Sequence, residues 1–352
     1  MKTWFEIKVR AVLGPDVGDE KEVVILGRIV RWKEWGIEFE ADPKHRQILL
    51  EHFGFTEESG AAAYNGSREV KEETEEEEAE MGKSEATEFR GMVARMNYLA
   101  QDSPDLQYPS KETSREMARP KVGAWRRLKK VVRYMLGRAA VVWQYRWQEE
   151  VEYLEAKSDS DWGGNREDRK STSGGVIFLG GHCIKTWSST QGAIALSSAE
   201  AEFYAMVDAV LKAKWLVTVA HEMGMAAQRS LIILGTDSSA ARSFVCRRGL
   251  GRMRHIEIRD LWLQKEVLKG LVKVVKIPGE SNPADLMTKF LNAETVKERL
   301  KAMNLRTMPG NPIRREGTKD KAVKKRWADE EGGGGEDACL EVVEWWRRKE
   351  KE

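Results

Sequence analysis

Between residues 151 and 292 the apolar residues change their repeat several times, and few folds accommodate that pattern. Two short runs of strand composition, 176–179 and 184–187, flank Gly180-Gly181, which predicts a hairpin. A long helical repeat covers 198–223; a strand at 231–234, a short helix from Ser239 and a helix near 256–269 follow. Gly270 ends that helix, 271–277 reads as a further strand, and Asn282-Pro283 opens a last helix. Strands first, then strands mixed with helices, predict a single α/β domain over 151–292 on a mixed sheet with flanking helices.

The flanks are organised differently. Residues 1–57 predict strands at 23–26 and 29–32 and a helix over 43–53. Residues 58–85 carry the glutamate run 72–80, which repels itself and buries too little apolar surface to order, so a disordered loop is expected. Residues 86–150 predict two amphipathic helices. In the second, Trp125, Leu128, Val132 and Met135 form an apolar stripe, with Arg126, Arg127, Lys130 and Arg133 off it. That basic face suits phosphate contacts, although an ordinary solvated face carries the same charges. Residues 293–352 read as a charged, glycine-containing, flexible tail with one helical piece near 340–349.

Composition narrows the function classes. Lysine and arginine number 59 against 57 acidic residues, a net charge of +2, so only local patches can argue for nucleic-acid binding. Cys183, Cys246 and Cys339 are too few and scattered for a disulfide framework or a zinc site, which favours a reducing compartment. Residues 1–13 mix charged and apolar side chains unlike a signal peptide. No apolar stretch approaches the ~20 residues needed to span a bilayer. The expectation is an intracellular protein, cytoplasmic or nuclear, neither secreted nor membrane-bound.

Some acids stand at positions where chemistry is done. A hydrolase that cuts phosphodiesters with two metal ions needs several carboxylates on one point, each held by a rigid element. Magnesium prefers oxygen ligands and keeps waters, so a few carboxylates suffice. Asp159 and Asp161 end an extended segment where alternation puts both on one face; two solvent-facing acids at a strand end look the same. Ser197-Ser198-Ala199-Glu200 matches a capping box, which accounts for Glu200 structurally. Glu202 shares an apolar stripe with Met206, Val210 and Ala213, so its carboxylate needs a partner or a metal unless it reaches water at the rim. Asp237 follows the 231–234 strand and leads into a helix, a usual site position in α/β folds and also a usual cap. Asp285 lies in the first turn of the last helix, where the dipole favours a negative charge whatever its function.

Together these residues resemble a known family. Ser158-Asp159-Ser160-Asp161-Trp162-Gly163-Gly164, followed by Asp168-Arg169-Lys170-Ser171-Thr172-Ser173-Gly174, resembles the start of the RNase H domain of copia-type retrotransposon polyproteins. Trp187-Ser188-Ser189-Thr190-Gln191, leading to the run from Ala195 to Glu202, continues the match, as do Thr236-Asp237-Ser238-Ser239-Ala240, Arg254-His255-Ile256-Glu257-Ile258-Arg259 and Asn282 to Lys289. Upstream, 90–100, 103–105 and 128–134 are similar to the thumb and connection region of the copia-type reverse transcriptase, and 1–55 to the segment after its catalytic core.

The resemblance implies an RNase H-like mixed sheet preceded by a mainly α thumb and connection region. It implies hydrolysis of the RNA strand of RNA–DNA hybrids with two Mg²⁺ ions, for which Mn²⁺ substitutes. The metal-binding carboxylates of the family fall on Asp159, Glu202, Asp237 and Asp285, with Asp161 a second choice for the first. Nucleic-acid contacts fall on Arg169, Ser171, Gln191, Ser238, Arg254 and His255. RNA selectivity then comes from 2′-hydroxyl contacts, with the DNA strand held by its phosphates.

Three departures qualify this. Lys276 to Asp285 contains no histidine where many RNase H enzymes have one; His255 is the nearest candidate to move a proton, and it also reads as a structural histidine near a helix start. Phe290 replaces the proline expected after Thr288-Lys289. No Asp-Asp pair occurs, so the paired aspartates of a polymerase site are missing and DNA synthesis by this chain alone is not expected. A catalytically silent nucleic-acid-binding remnant, or a surface over 1–147 that docks on a separate reverse transcriptase chain, are the competing readings.

Overall fold

The structure, a computed structural model, describes residues 8–308 except 57–58, 67–73, 150, 152, 166, 225–230, 251–255 and 257–260. It opens with strands β1 (Glu22–Ile25), β2 (Arg28–Lys33) and β3 (Gly36–Glu40), then helix α1 (Pro43–His52). Leu26 and Gly27 both take positive φ, 51° and 79°, the two-residue turn that matches strand twist and joins β1 to β2. Asp42 caps α1 by accepting from the Lys44 N–H, and Pro43 fills the first helical position, which needs no donor.

Next come α2 (Glu75–Glu78), α3 (Lys83–Asp102), α4 (Gln107–Ser114), α5 (Gly123–Tyr134) and β4 (Ala140–Arg146). The α/β unit follows as β5 (Tyr153–Asp161), β6 (Thr172–Leu179), β7 (His182–Thr190), α6 (Ser198–Glu222), β8 (Leu231–Thr236), α7 (Ser239–Val245), α8 (Trp262–Leu268) and β9 (Val272–Lys276). A 3₁₀ turn, Pro283–Met287, leads to α9 (Ala293–Ala302) and β10 (Leu305–Met308).

Two sheets result. The second has the order β7-β6-β5-β8-β9, with β5 antiparallel to β6 and parallel to β8, and β9 parallel to β8. This is the RNase H-like mixed sheet with flanking helices expected for 151–292. The first is an antiparallel sheet in the order β1-β2-β3-β4-β10, packed with the helices of the upstream region.

Strand β6 is apolar on both faces, and this decides how the halves meet. Ile177 packs with Phe203 and Met206 of α6, while Val176 and Phe178 enter a second core with Phe89, Leu128 and Leu300. The helix-rich upstream region therefore covers the face of the α/β sheet opposite α6. Among the described residues no helix is long and apolar enough to cross a membrane.

Three expectations need correction. The acidic segment 58–85 is ordered in part. Thr74 and Glu77 satisfy each other's backbone N–H groups in a capping box, Glu77 and Glu78 pair with Arg126 and Lys121 at 2.6 and 2.7 Å, and Met81 is buried. Opposite charges from Arg126 of α5 and from Lys121 just before it neutralise the repulsion that the run has on its own.

Residues 293–308 of the expected tail are likewise structured: Val296, Leu300 and Met303 recur on one face of α9 and enter the core, and β10 pairs with β4. The remaining 309–352, with the helical piece near 340–349 and Cys339, lie outside the described residues. Finally, 86–150 holds three helices and a strand rather than two helices.

Candidate active site

The site lies at the carboxyl ends of β5 and β8, which neighbour each other in parallel, so that Asp159 near the end of one and Asp237 just past the other come together. The first turns of α6 bring Glu202 over the same place. The helix starts where it does because the Ser197 hydroxyl accepts from the Glu200 N–H, while Glu200 accepts from the Leu196 N–H and the Tyr204 hydroxyl. Glu200 thus has the structural role read from the sequence, and Glu202, on the buried face, points at β5.

A carboxylate oxygen of each of Asp159, Glu202 and Asp237 lies within 4.8 Å of the others. Asp159 and Glu202 are buried and Asp237 is half-buried. Glu202 Oε1 accepts from both the backbone N–H and the hydroxyl of Ser160, at 3.0 and 2.9 Å. Its Oε2 is buried with no partner. Burial, then the charges of Asp159 and Asp237, push Glu202 up to about 8. Burial also pushes Asp159 up to about 6, helped by Asp285 and Asp237 and opposed by Lys289 and Thr288. Three crowded oxygen donors, one of them orphaned, suit a hard divalent cation such as magnesium.

Asp285 is outside this trio and joined to it by a cation. Asn282, fully buried, accepts from the Ala284 N–H and donates to the Ser158 carbonyl, fastening the 3₁₀ turn beside Asp159. Gly174 pairs with Asp159 across β5 and β6; a Cβ there would stand 2.6 Å from both Met287 Cβ and Thr288 Cγ2, so only glycine admits the turn. The Thr288 hydroxyl donates to Asp159 Oδ2. Lys289 Nζ stands 3.2 Å from Asp159 Oδ2 and 2.6 Å from Asp285 Oδ1, and Arg299 lies 3.5 Å from Asp285 Oδ2. Burial works against the Lys289 charge, yet Asp159 and Asp285 hold its ammonium above the ordinary lysine range.

The other expected site residues divide. Asp161 turns over the 162–164 loop, where a Cβ on Gly164 would meet its carboxylate, and it is not among the clustered acids. Ser171 and Gln191, expected to touch nucleic acid, are instead buried. The Ser171 hydroxyl accepts from the Gly163 N–H, and the Gln191 amide donates to the Ser173 hydroxyl and the Ala201 carbonyl. Both are spent holding the site's loops, because burial removes them from a ligand's reach. Ser238 caps α7 by accepting from Ala241 N–H, and Arg169 is exposed in a left-handed conformation. Arg254 and His255 lie outside the described residues.

On α5 the basic face carries acidic and carbonyl partners: Arg126 with Glu77, Arg127 with Glu116 at 2.7 Å, and Arg133 donating to the Gly60 carbonyl; Lys130 is half-buried. The sequence reading missed Ser160, Asn282, Thr288, Lys289 and Arg299. The four-residue spacing of Asp285 and Lys289 is a recognisable pair signal, whereas nothing local marks Arg299.

No protein-family model matches the chain. It is 30% identical over 208 residues to the retrovirus-related Pol polyprotein from transposon RE2 of Arabidopsis thaliana, covering 58% of this chain and 14% of that protein. With the corresponding polyprotein of transposon RE1, also from Arabidopsis thaliana, it shares 29% identity over 211 residues, 59% of this chain and 14% of that protein. The chain thus spans about one seventh of the length of these relatives. Among solved structures, RNase H1 from Halobacterium salinarum NRC-1 is similar with 19% identity and a TM-score of 0.28, over 39% of this chain and 94% of that one. Its sequence relatives are thus retrovirus-related Pol polyproteins from transposons, and the chain is similar to a segment of them.

Proposed function

We propose that this chain hydrolyses the RNA strand of RNA–DNA hybrids, as the ribonuclease H portion of a retrotransposon polyprotein. The observation that carries this reading is the convergence of Asp159, Glu202 and Asp237, from three separate elements, with a buried oxygen of Glu202 left unpartnered. Asp159, Glu202 and Asp237 would hold a magnesium ion, and Asp285 with Asp159 would hold a second. Bound there, magnesium supplies a water of lowered pKa and neutralises charge on the scissile phosphate.

The protein's own groups have distinct tasks. Ser160 orients Glu202 by holding Oε1 with two hydrogen bonds and leaves its second oxygen unpartnered. Thr288 and Lys289 orient Asp159. Asp237, the least buried of the trio, is the acid most accessible to an approaching phosphate. Arg169 and the basic residues of α5 are the proposed contacts for the nucleic-acid backbone, and a separate reverse transcriptase chain is a proposed partner.

Incubating an end-labelled hybrid with Mg²⁺ or Mn²⁺ tests this. The RNA strand of the hybrid is cut, single-stranded RNA is not, and EDTA stops the reaction. An Asp237→Asn protein that cut at the parental rate would remove the assignment. Hybrid that is bound but never cut would leave a nucleic-acid-binding remnant instead.

A further inference from the structure

The four acids expected to act alike do so unequally. Asp285 faces two cations of the chain, Lys289 on one oxygen and Arg299 on the other, whereas the clustered trio of Asp159, Glu202 and Asp237 meets Lys289 only through Asp159. Lys289 also reaches Asp159, so its ammonium sits between the two carboxylates. A divalent ion joining Asp159 to Asp285 needs the space that this ammonium fills, since metal–oxygen distances of about 2.0–2.1 Å leave no room for both.

We propose that Lys289 is a built-in counter-ion for the Asp159–Asp285 half of the site, which limits the free protein to one tightly held divalent ion in the Asp159–Glu202–Asp237 half. The inference rests on the metal-dependent reading above and adds an order of filling to it. Two features make the lysine displaceable rather than a permanent plug. Its side chain is 31% exposed, so the flexible four-carbon stem has an open path to solvent. Arg299, only 11% exposed, remains beside Asp285 as its ion-pair partner when the ammonium leaves. A phosphate arriving with substrate offers the released ammonium a new partner, which couples the second half of the site to occupancy by nucleic acid. Lys289 is in this sense a positioning residue, acting through Asp159 and Asp285.

Mn²⁺ titration of the full chain without nucleic acid, followed by calorimetry, tests the proposal. The parent takes up one ion, and Asp237→Asn loses it. Lys289→Met gains a second binding event. Lys289→Arg stays at one ion, and Lys289→Met combined with Asp285→Asn returns to one. Should Lys289→Met not fold, reductive methylation of the parent read by mass spectrometry serves instead: Lys289 is protected without metal and becomes reactive only at Mn²⁺ concentrations beyond those that fill the first half. One ion of equal affinity in parent and Lys289→Met, two equivalent ions in the parent, or a Lys289 that methylates at once without metal would overturn the proposal and leave the nuclease reading standing. No ion bound by the parent at all would overturn both.

Discussion

Glu202 accepts both hydrogen bonds of Ser160 through a single oxygen, Oε1, which leaves Oε2 buried and unpartnered in a carboxylate clustered with Asp159 and Asp237. The backbone N–H is part of β5 and is kept by every replacement except proline, so the orientation of Glu202 is built into the sheet. Replacing the carboxylate is another matter. Glu202→Gln keeps the hydrogen bonds but forfeits the charge, and metal-dependent cutting of a hybrid falls by about 100-fold or more. Initial rates on labelled hybrid, with circular dichroism to show that the fold persists, check this; a loss under about twofold counts against the site.

The raised carboxyls give a definite sign to the pH dependence. Burial puts Glu202 at about 8 and Asp159 at about 6, both above the values these groups have in an unfolded chain. The metal-free folded state therefore binds protons that the unfolded state has released. Its stability falls as pH rises from the ordinary carboxylate range through about 8, and is greatest on the acid side of that window. The affinity for divalent ions runs the other way, because ligands must be deprotonated. Chemical melts at about pH 5 and about pH 8.5 show a decline of the order of a few kcal/mol in the parent and a smaller one in Glu202→Gln. Equal declines in the two proteins would count against Glu202 as the source.

Asn65 joins the upstream region to the site's last turn. Buried completely, it donates to the Asp105 carbonyl at 3.0 Å and accepts from the Leu291 N–H at 2.9 Å, two residues beyond Lys289. Asn65→Ala leaves both backbone groups unpaired, at roughly 1–3 kcal/mol for each group. A urea melt reads the loss as a lower midpoint with an unchanged slope.

The acidic segment opposes Arg126 on the basic face of α5 and Lys121 just before the helix. Glu77 and Glu78 hold Arg126 and Lys121 at 2.6 and 2.7 Å in half-exposed pairs. Neutralising both glutamates costs little stability, since such pairs contribute about 1 kcal/mol or less. It raises the local positive charge, so hybrid binding strengthens and the salt dependence steepens by about one unit of log–log slope for each added phosphate contact. Fluorescence anisotropy over a salt series, comparing the parent with Glu77→Gln/Glu78→Gln, checks it; unchanged slope and affinity would place nucleic acid elsewhere.

Much of this molecule follows from local pattern. The spacing of Glu202 with Met206, Val210 and Ala213 places its carboxylate on the buried face of α6, and Ser197 with Glu200 fixes where that helix begins. Gly180-Gly181 between apolar runs determines the β6–β7 hairpin, and Asn282-Pro283 opens the turn that carries Asp285. Periodicity and capping involve neighbours within a turn or two, so the chain itself contains that information.

What remained open needed partners brought from far along the chain. Asp159 rather than Asp161 joins the clustered acids because β5 ends in a turn that takes Asp161 over Gly164. The glutamate run orders against α5, and α9 with β10 closes the first sheet more than 150 residues after β4 begins. Lys289 lies 130 positions from Asp159, and their ion pair exists only because Asn282 and Gly174 bring the last turn against β5. Charges and strand edges are satisfied by whatever the fold delivers to them, and no local repeat encodes which partner that is.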